Sequence, residues 1–196
     1  MTLDDAAIER LVDEARAGDA PAFGRLFDHF HLPIYRFVAS RVRRPSDAED
    51  LTQLVFVKAL EAMPRYESRG IPFGGWLFRL ARNAVIDFIR TSHEHADLAQ
   101  SVERAGTDAG PDELAATRQE IDAVGAALST LTEDQRDAIA LRFFGGLSAR
   151  EAAEVMGKQE GTVRGLQFRG IAAMRRQLGI EVPDASSTAR SSSVRR

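Results

Sequence analysis

Residues 147–164 constrain the fold more than any other part of the chain, because they read as a helix, a glycine turn and a second helix. Ser148 and Glu151 form an S-x-x-E capping box, which satisfies the backbone amides where the first helix begins. Gly157 stands where that helix must end, since glycine takes the left-handed conformation without steric cost. This is the layout of a helix-turn-helix, whose second helix enters the major groove of DNA.

The same pattern also fits an ordinary αα-hairpin in a helical bundle, and charge separates the two interpretations. Between residues 158 and 176 the chain carries five basic residues and one acidic residue, although its formal net charge is −3. Bases on an exposed helix face fit phosphate contacts. We therefore favour DNA binding over the plain hairpin for this segment.

Apolar residues recur at helical spacing along the rest of the chain, and no segment keeps the alternation typical of a strand. The sequence predicts an all-α fold of two small helical domains joined by a flexible acidic linker, the C-terminal one being the helix-turn-helix domain. Residues 94–122 carry eight acids against two bases, which supports a linker at 96–113. The other predicted boundaries are a helical extension at 1–17, domains at 18–95 and 114–180, and a disordered tail at 181–196.

Capping residues predict where several helices begin. Asp19 is expected to cap one helix, and Ser46 with Glu49 to form a capping box that opens another at Asp47. A separate helical stretch is expected at 34–42, ahead of that box.

Composition narrows the class of protein. The chain of 196 residues has no cysteine, which excludes disulfides and thiolate metal sites, and no apolar run approaches the length of a membrane span. The N-terminus lacks the pattern of a signal peptide, so a soluble, cytoplasmic protein without membrane insertion is expected. The histidine pairs His29/His31 and His93/His95 have no third ligand placed by a motif, so no metal and no cofactor is predicted.

The helix at 47–60 carries acids in its first turn, where they favour the positive end of the helix dipole. One interpretation is a well-capped core helix. The other is a protein-binding face, in which Gln53, Phe56 and Val57 widen the apolar stripe beyond the core side. An apolar strip edged by acids suits a basic partner helix or a coiled coil, and the residues alone leave both interpretations open.

The helix at 74–90 interleaves aromatic and basic side chains. Leu77, Leu80, Ala81 and Ala84 are expected to face the core, which leaves the arginines and Asn83 to solvent or a ligand. Aromatic side chains beside arginines suit single-stranded nucleic acid. The alternative is that the aromatic side chains are simply core and the arginines a solvated face, and this is the better expectation for at least two of Trp76, Phe78 and Phe88.

Three motifs in order resemble the extracytoplasmic-function group of the sigma-70 family, the initiation factors of bacterial RNA polymerase. They are D-A-E-D-L-x-Q-x-x-F at Asp47–Phe56, W-L-F-R-L-A-R-N at Trp76–Asn83, and L-R-F-F-G-G-L-S-x-x-E-x-A from Leu141 with E-G-T-V-R at Glu160–Arg164. The G-K-Q-E-G and F-G-G-W runs are similar to developmental sigma factors of actinomycetes.

The resemblance implies three sets of site residues in a protein that is not an enzyme. Core-polymerase binding would fall to Asp47, Glu49, Asp50, Gln53 and Phe56. Recognition and opening of the minus-ten element would fall to Trp76, Arg79, Arg82, Asn83, Asp87 and Arg90, with Asn83 forming a pocket for a flipped base. Reading of the minus-thirty-five element would fall to Lys158, Thr162, Arg164, Gly165, Phe168 and Arg169.

The resemblance also implies partners. They are core RNA polymerase, through the clamp helices of its largest subunit and the flap of the second-largest, promoter DNA in duplex and single-stranded form, and an anti-sigma factor. Two residues depart from the family pattern: Gln159, a poor helix cap, and Gly165, which has no side chain to read a base.

Three rival functions are weaker. A stand-alone helix-turn-helix regulator leaves the helix at 74–90 without a role. An α-helical enzyme is disfavoured because the sequence shows no nucleophile–base set and no phosphate loop. A protein-only interaction module leaves the basic helix unexplained.

Overall fold

The computed structural model describes residues 3–68, 70–96, 127–128 and 130–180, with side chains up to residue 92 in the second range. The predicted linker from residue 97 onward and the predicted tail lie outside these residues. The described part forms seven α-helices and contains no strand, so the predicted all-α class is confirmed. We number them α1 (Asp5–Arg16), α2 (Ala20–Ala39), α3 (Pro45–Ala62), α4 (Phe73–Ala96), α5 (Glu133–Phe143), α6 (Ala149–Met156) and α7 (Glu160–Gln177); a 3-10 turn, Met63–Arg65, follows α3.

The helix-turn-helix begins and ends as its capping residues predict. Ser148 Oγ accepts from the Glu151 amide at 3.2 Å, and Glu151 Oε2 accepts from the Ser148 amide at 2.6 Å. Gly157 closes α6 in the left-handed conformation, with φ 64°. Gln159 stands at the N-cap of α7 and gives it no side-chain hydrogen bond. The first helix of the pair is therefore tightly capped and the second is not.

Two expectations about the first domain are wrong. Helix α3 begins at Pro45 with Arg44 as its N-cap, so Ser46 lies inside the first turn and forms no capping box with Glu49. Proline suits the first helical position because its fixed φ is helical and its missing amide is not needed there.

The stretch at 34–42 is also not a separate helix. Helix α2 continues through Pro33, which removes one backbone hydrogen bond. Leu26, Phe30, Ile34 and Phe37 are all buried along α2, and this continuous apolar face compensates for the lost bond.

The core joins both halves of the chain. Phe37 of α2 and Phe78 of α4 are fully buried and meet edge to face, with ring centroids 5.7 Å apart. Helix α4 packs against α6, and α2 touches α5. Gly145 lies so close to Phe78 that a Cβ there would come within 3.1 Å of the ring. The two predicted domains therefore contact each other directly.

No helix in the described ranges is long and apolar enough to cross a membrane.

Candidate protein-binding and nucleic-acid interfaces

Helix α3 carries an exposed row of large apolar side chains, which we call the α3 strip. Its members Leu54, Val57 and Leu60 are 40%, 52% and 54% exposed, and their spacing of three places them on one side of the helix. Asp50 and Gln53 are exposed at the N-terminal end of the same side. A contiguous exposed apolar row beside polar residues marks a protein-binding surface.

Phe56 does not belong to this surface, and the expectation that it widens the exposed stripe is wrong. Its side chain is only 6% exposed and meets Phe27 of α2 edge to face, with centroids 4.6 Å apart. Phe56 shares the buried side of α3 with Thr52, Val55 and Ala59, because these positions recur with the helical repeat. Leu54 and Leu60 share helical spacing with the buried Leu51 and Val55, yet they are exposed.

The two remaining acids of the predicted polymerase-binding set lie in the first turns of α3. Asp47 is half-buried and Glu49 is exposed. Both stand near the positive end of the helix dipole, so they stabilise the helix and leave a negative edge beside the α3 strip.

A cavity of about 410 Å³ opens between the loop after α3 and the start of α4. Trp76 and Arg79 line it, as the sequence predicts for a nucleic-acid site. Tyr66 lines it as well, with its ring 4.7 Å from that of Trp76. Burial raises the pKa of Tyr66, which keeps its hydroxyl protonated and able to donate. Aromatic faces beside a guanidinium can stack an unpaired base and pair its phosphate.

Sequence reasoning missed part of this cavity. The end of α3 and the residues that follow it bring two carboxylates and a second guanidinium to the wall; the missed residues are Glu61, Arg65, Tyr66 and Glu67. The one sequence feature that indicates these residues is an aromatic side chain, Tyr66, directly after a basic one, Arg65.

The rest of the predicted minus-ten set continues along α4 outside this cavity. Asn83 is exposed one helical turn beyond Arg79 and is not part of the cavity wall. Asp87 and Arg90 are exposed further along and form a loose pair at 3.5 Å. The structure thus brings Trp76 and Arg79 together, and it leaves Asn83, Asp87 and Arg90 on the open surface beyond them.

Two arginines of α4 contact the C-terminal half. Arg79 Nη2 donates to the backbone carbonyl of Glu154, near the end of α6, at 3.0 Å. Arg82 Nε donates to Asp137 Oδ2 of α5 at 2.8 Å. Arg82 was expected to face solvent or a ligand, and in this arrangement its partner is a carboxylate of the same chain.

Helix α7 has one fixed side and one free side. Val163, Leu166 and Gly170 are buried, and a Cβ at Gly170 would come within 2.7 Å of Ile139, so α7 lies close against α5. The opposite side is open: Phe168 is 76% exposed, and Thr162 and Arg169 are exposed near it. This geometry suits a recognition helix that inserts its free side into a groove.

Two other predicted residues, Arg164 of α7 and Lys158 just before it, take part in ion pairs. Arg164 bonds Glu160 at 2.6 Å within α7, and Lys158 Nζ lies 2.9 Å from Asp134 of α5. Gly165 has the guanidinium of Arg169 across it, 3.2 Å from where a Cβ would stand. Thr162, Phe168 and Arg169 are thus exposed on α7, whereas Arg164 is paired within the helix, Gly165 is partly covered by Arg169, and Lys158 is paired with Asp134 of α5.

No group of three metal-ligating side chains occurs among the described residues. His29 lies against Phe30, and His31 lies against Phe27, with its ring 6.2 Å from that of Phe56. These two histidines therefore take part in aromatic packing, while the side chains of His93 and His95 lie outside the described ones.

Family models match two separate parts of the chain. The model of Sigma-70 region 2 matches residues 26–95, and the model of Sigma-70, region 4 matches residues 121–174. The first match contains the α3 strip and the cavity at α4, and the second contains the helix-turn-helix.

Relatives and solved structures match over most of the chain. The ECF RNA polymerase sigma factor BldN of Streptomyces coelicolor is 36% identical over 89% of this chain and 67% of its own length. ShbA of Streptomyces griseus, also an ECF RNA polymerase sigma factor, is 35% identical over 86% of this chain and 93% of its own. The structure of CnrH in complex with the cytosolic domain of CnrY has a TM-score of 0.70 at 27% identity, covering 90% of this chain and 99% of that one.

Proposed function

The chain belongs to the extracytoplasmic-function group of the sigma-70 family, and from this we propose how its surfaces divide the work of transcription initiation. As a sigma factor it acts with RNA polymerase and directs initiation at promoters. The observation that carries the proposal is the order of three surfaces along one chain: an exposed apolar strip, an aromatic and basic cavity, and a basic helix with a free side.

The α3 strip is the proposed docking surface for core polymerase. Leu54, Val57 and Leu60 offer apolar contact, and Asp50 and Gln53 offer polar contact at its edge. A basic partner helix fits such a face, and the clamp helices of the largest polymerase subunit are the partner that the family resemblance implies. Phe56 supports this surface from beneath through its contact with Phe27 rather than by direct contact.

The cavity and the exposed side of α4 are the proposed minus-ten site. Tyr66 and Trp76 supply aromatic faces, and Arg79 supplies a charge beside them. Flipping a base out of the duplex costs a few kcal/mol, so the pocket must return that by stacking and hydrogen bonding. Asn83, Asp87 and Arg90 continue the site along α4, and Arg82 joins it only when released from Asp137.

Helix α7 is the proposed reader of the minus-thirty-five element. Phe168 and Arg169 present apolar and basic contacts on its free side, and Thr162 lies near its start, where backbone amides favour phosphate. Gly165 offers no side chain to a base, so readout at that point depends on its neighbours. Contact of this half with the polymerase flap is part of the same proposal.

We further propose that a protein partner inhibits this chain by covering exposed surface. CnrH is described in complex with the cytosolic domain of CnrY. For the present chain, the α3 strip is the surface at which such a partner would compete with polymerase. The predicted division into domains at 18–95 and 114–180, with a linker between them, belongs to the same proposal.

The decisive experiment is run-off transcription with bacterial core polymerase, with and without this protein, on genomic DNA fragments. We expect new start sites that depend on the protein and that share two promoter elements. Trp76→Ala and Asn83→Ala should slow promoter opening while binding to core polymerase stays intact. A loss of core binding as large as the loss of promoter opening in either variant would contradict the division of labour. Binding to duplex DNA without any initiation would favour a stand-alone regulator.

A further inference from the structure

A small charged cluster lies between the N-terminal and C-terminal halves. Asp137 of α5 is 2% exposed and stands between two guanidinium groups of the N-terminal half. Arg82 Nε lies 2.8 Å from Asp137 Oδ2, and Arg41 Nε lies 3.4 Å from Asp137 Oδ1. Arg41 also donates through Nη1 to the backbone carbonyl of Glu133 at 3.2 Å.

The cluster covers the edge of the apolar contact between the halves. Arg41, Arg82 and Asp137 each lie four residues from a fully buried apolar residue: Arg41 follows Phe37, Arg82 follows Phe78, and Asp137 precedes Leu141. In a helix this spacing places a side chain one turn along the same face. The charges therefore continue the three apolar faces that meet in the core, and they close the interface at its edge.

The cluster carries more positive than negative charge. Arg41 and Arg82 share the one carboxylate of Asp137. A third guanidinium, that of Arg136, is near: burial and then the charge of Arg41 lower the pKa of Arg136, although Glu133 and Asp137 oppose the shift. Arg41 Nε and Asp137 Oδ1 face each other without the geometry of a hydrogen bond, and neither atom has another partner within the described residues. A buried ion pair whose hydrogen bonds are incomplete is weakly favoured, because attraction barely offsets desolvation.

A second contact also binds α4 to the C-terminal half. Arg79 donates to the Glu154 carbonyl near the C-terminal end of α6, where the helix dipole attracts a cation. Arg79 and Arg82 are thus both bound to the C-terminal half, and both belong to the basic side of α4.

We propose that Asp137 holds the two halves in a closed arrangement by taking the place of a DNA phosphate at Arg82. The halves separate when Asp137 loses these arginines, and the freed guanidinium groups then turn to solvent or to nucleic acid. The consequence for DNA rests on the proposed role of α4, whereas closure itself does not.

Closure can be measured without DNA or polymerase. The chain has no cysteine, so Lys58→Cys and Arg176→Cys, both at exposed positions, allow two spin labels to be attached uniquely. Pulsed electron–electron double resonance on the full chain should give one short distance between the two labels when Asp137 is present. Asp137→Asn should replace that peak with a broad distribution at longer distances, because the guanidinium groups of Arg41 and Arg82 would otherwise stay at the interface without the carboxylate that neutralises them.

Asp134→Asn is the matched control, since it removes the same charge from the same helix. Within the described part of the chain, the ion-pair partner of Asp134 is Lys158 of the same C-terminal half. This control should keep the short distance. An unchanged distance in Asp137→Asn would overturn the inference, as would loss of helical content in that variant alone by circular dichroism, because Asp137 would then serve the fold and not closure.

A charge exchange tests the same point independently. Asp137→Arg should open the chain further, and adding Arg82→Asp should restore part of the short-distance peak, since an acid again stands between two bases. Failure of the exchange to restore any of it would count against a direct pair. Because none of these distances involves transcription, failure of closure and failure of the proposed sigma function are separate results.

Discussion

At the residue scale, the helix caps are the positions where residue identity affects the free energy of unfolding most directly. Ser148 accepts the amide hydrogen bond that opens α6, whereas Gln159 at the start of α7 accepts none. Ser148→Ala should therefore lower the free energy of unfolding by about 1 kcal/mol, and Gln159→Ala should leave it almost unchanged. Urea unfolding followed by circular dichroism measures both.

The same pair of caps offers a gain as well as a loss. Gln159→Ser places a good N-cap at α7 and should raise the free energy of unfolding by up to about 1 kcal/mol. A loss of stability in this variant would mean that the glutamine side chain has a role other than capping.

Two phenylalanines in the predicted sites behave in opposite ways because their burial differs. Phe56 is buried against Phe27, so Phe56→Ala should cost about 3–5 kcal/mol of stability and weaken polymerase binding only through the fold. Phe168 is exposed, so Phe168→Ala should change stability by less than about 0.5 kcal/mol and weaken binding to minus-thirty-five duplex DNA. Unfolding curves and fluorescence anisotropy with duplex DNA separate the two. A stable Phe56→Ala chain that fails to bind polymerase would restore the sequence-based interpretation of Phe56.

Residue identity predicted caps and turns well because their physics is local. Asp19, Ser148 and Gly157 act through bonds within a few positions of the chain, and all three stand where they were expected. The capping box at Ser46 failed because Pro45, its neighbour, is an equally local signal and begins the helix earlier. The burial of Phe56 depends on where α2 packs, which no local pattern contains.

At the element scale, α3 shows how one helix serves two surfaces. Its buried side faces α2 and α4, and its other side presents the α3 strip. Helical spacing predicts that apolar residues cluster but does not say which cluster meets the core when apolar residues surround much of the helix. The exposure of Leu54 and Leu60 therefore does not follow from their spacing.

The α3 strip can be tested by placing one charge in it. Val57→Asp should weaken core-polymerase binding by tenfold or more, about 1.4 kcal/mol, because a carboxylate would be desolvated in the docked face. Leu32→Asp is the matched control, since Leu32 is 49% exposed on α2 and lies outside the strip. Affinity for labelled core polymerase measures both. Equal weakening by the two variants would show that any added surface carboxylate weakens binding, and the α3 strip would then have no special role.

Helix α4 differs from α3 because its exposed side is basic and partly used within the chain. The interleaved pattern predicted that Leu77, Leu80, Ala81 and Ala84 face the core. Leu77, Ala81 and Ala84 are buried, and Leu80 is partly buried against the core. It could not predict that Arg79 and Arg82 would bind α6 and α5, since their partners lie 75 and 55 residues away in the sequence.

At the scale of the whole molecule, the contact between halves is the feature that sequence reasoning left out. The acidic segment at 94–122 and the motif order indicated two domains, but neither says whether they touch. One indication was present: Asp137 stands four residues before Leu141, at a core position of α5. A charged residue at such a position needs a partner, and only the fold shows that Arg82 and Arg41 supply it.

Release of this contact should be visible in how salt affects binding to single-stranded DNA. Each phosphate contact to a single strand steepens the slope of log K against log salt by about 0.7, so freeing Arg79 and Arg82 should steepen it by about 1.4. We therefore expect Asp137→Asn to bind a minus-ten single strand more tightly at low salt and to lose that gain as salt rises. Asp28→Asn, on the exposed side of α2, is the control because it changes the net charge equally and frees neither arginine. Identical slopes in the two variants, measured by anisotropy once the spin-label distance has shown that Asp137→Asn is open, would mean that the arginines held by the C-terminal half do not reach DNA. The Asp137 contact would then only hold the halves together, and recognition of the minus-ten element would rest on Tyr66 and Trp76 with the exposed Asn83, Asp87 and Arg90.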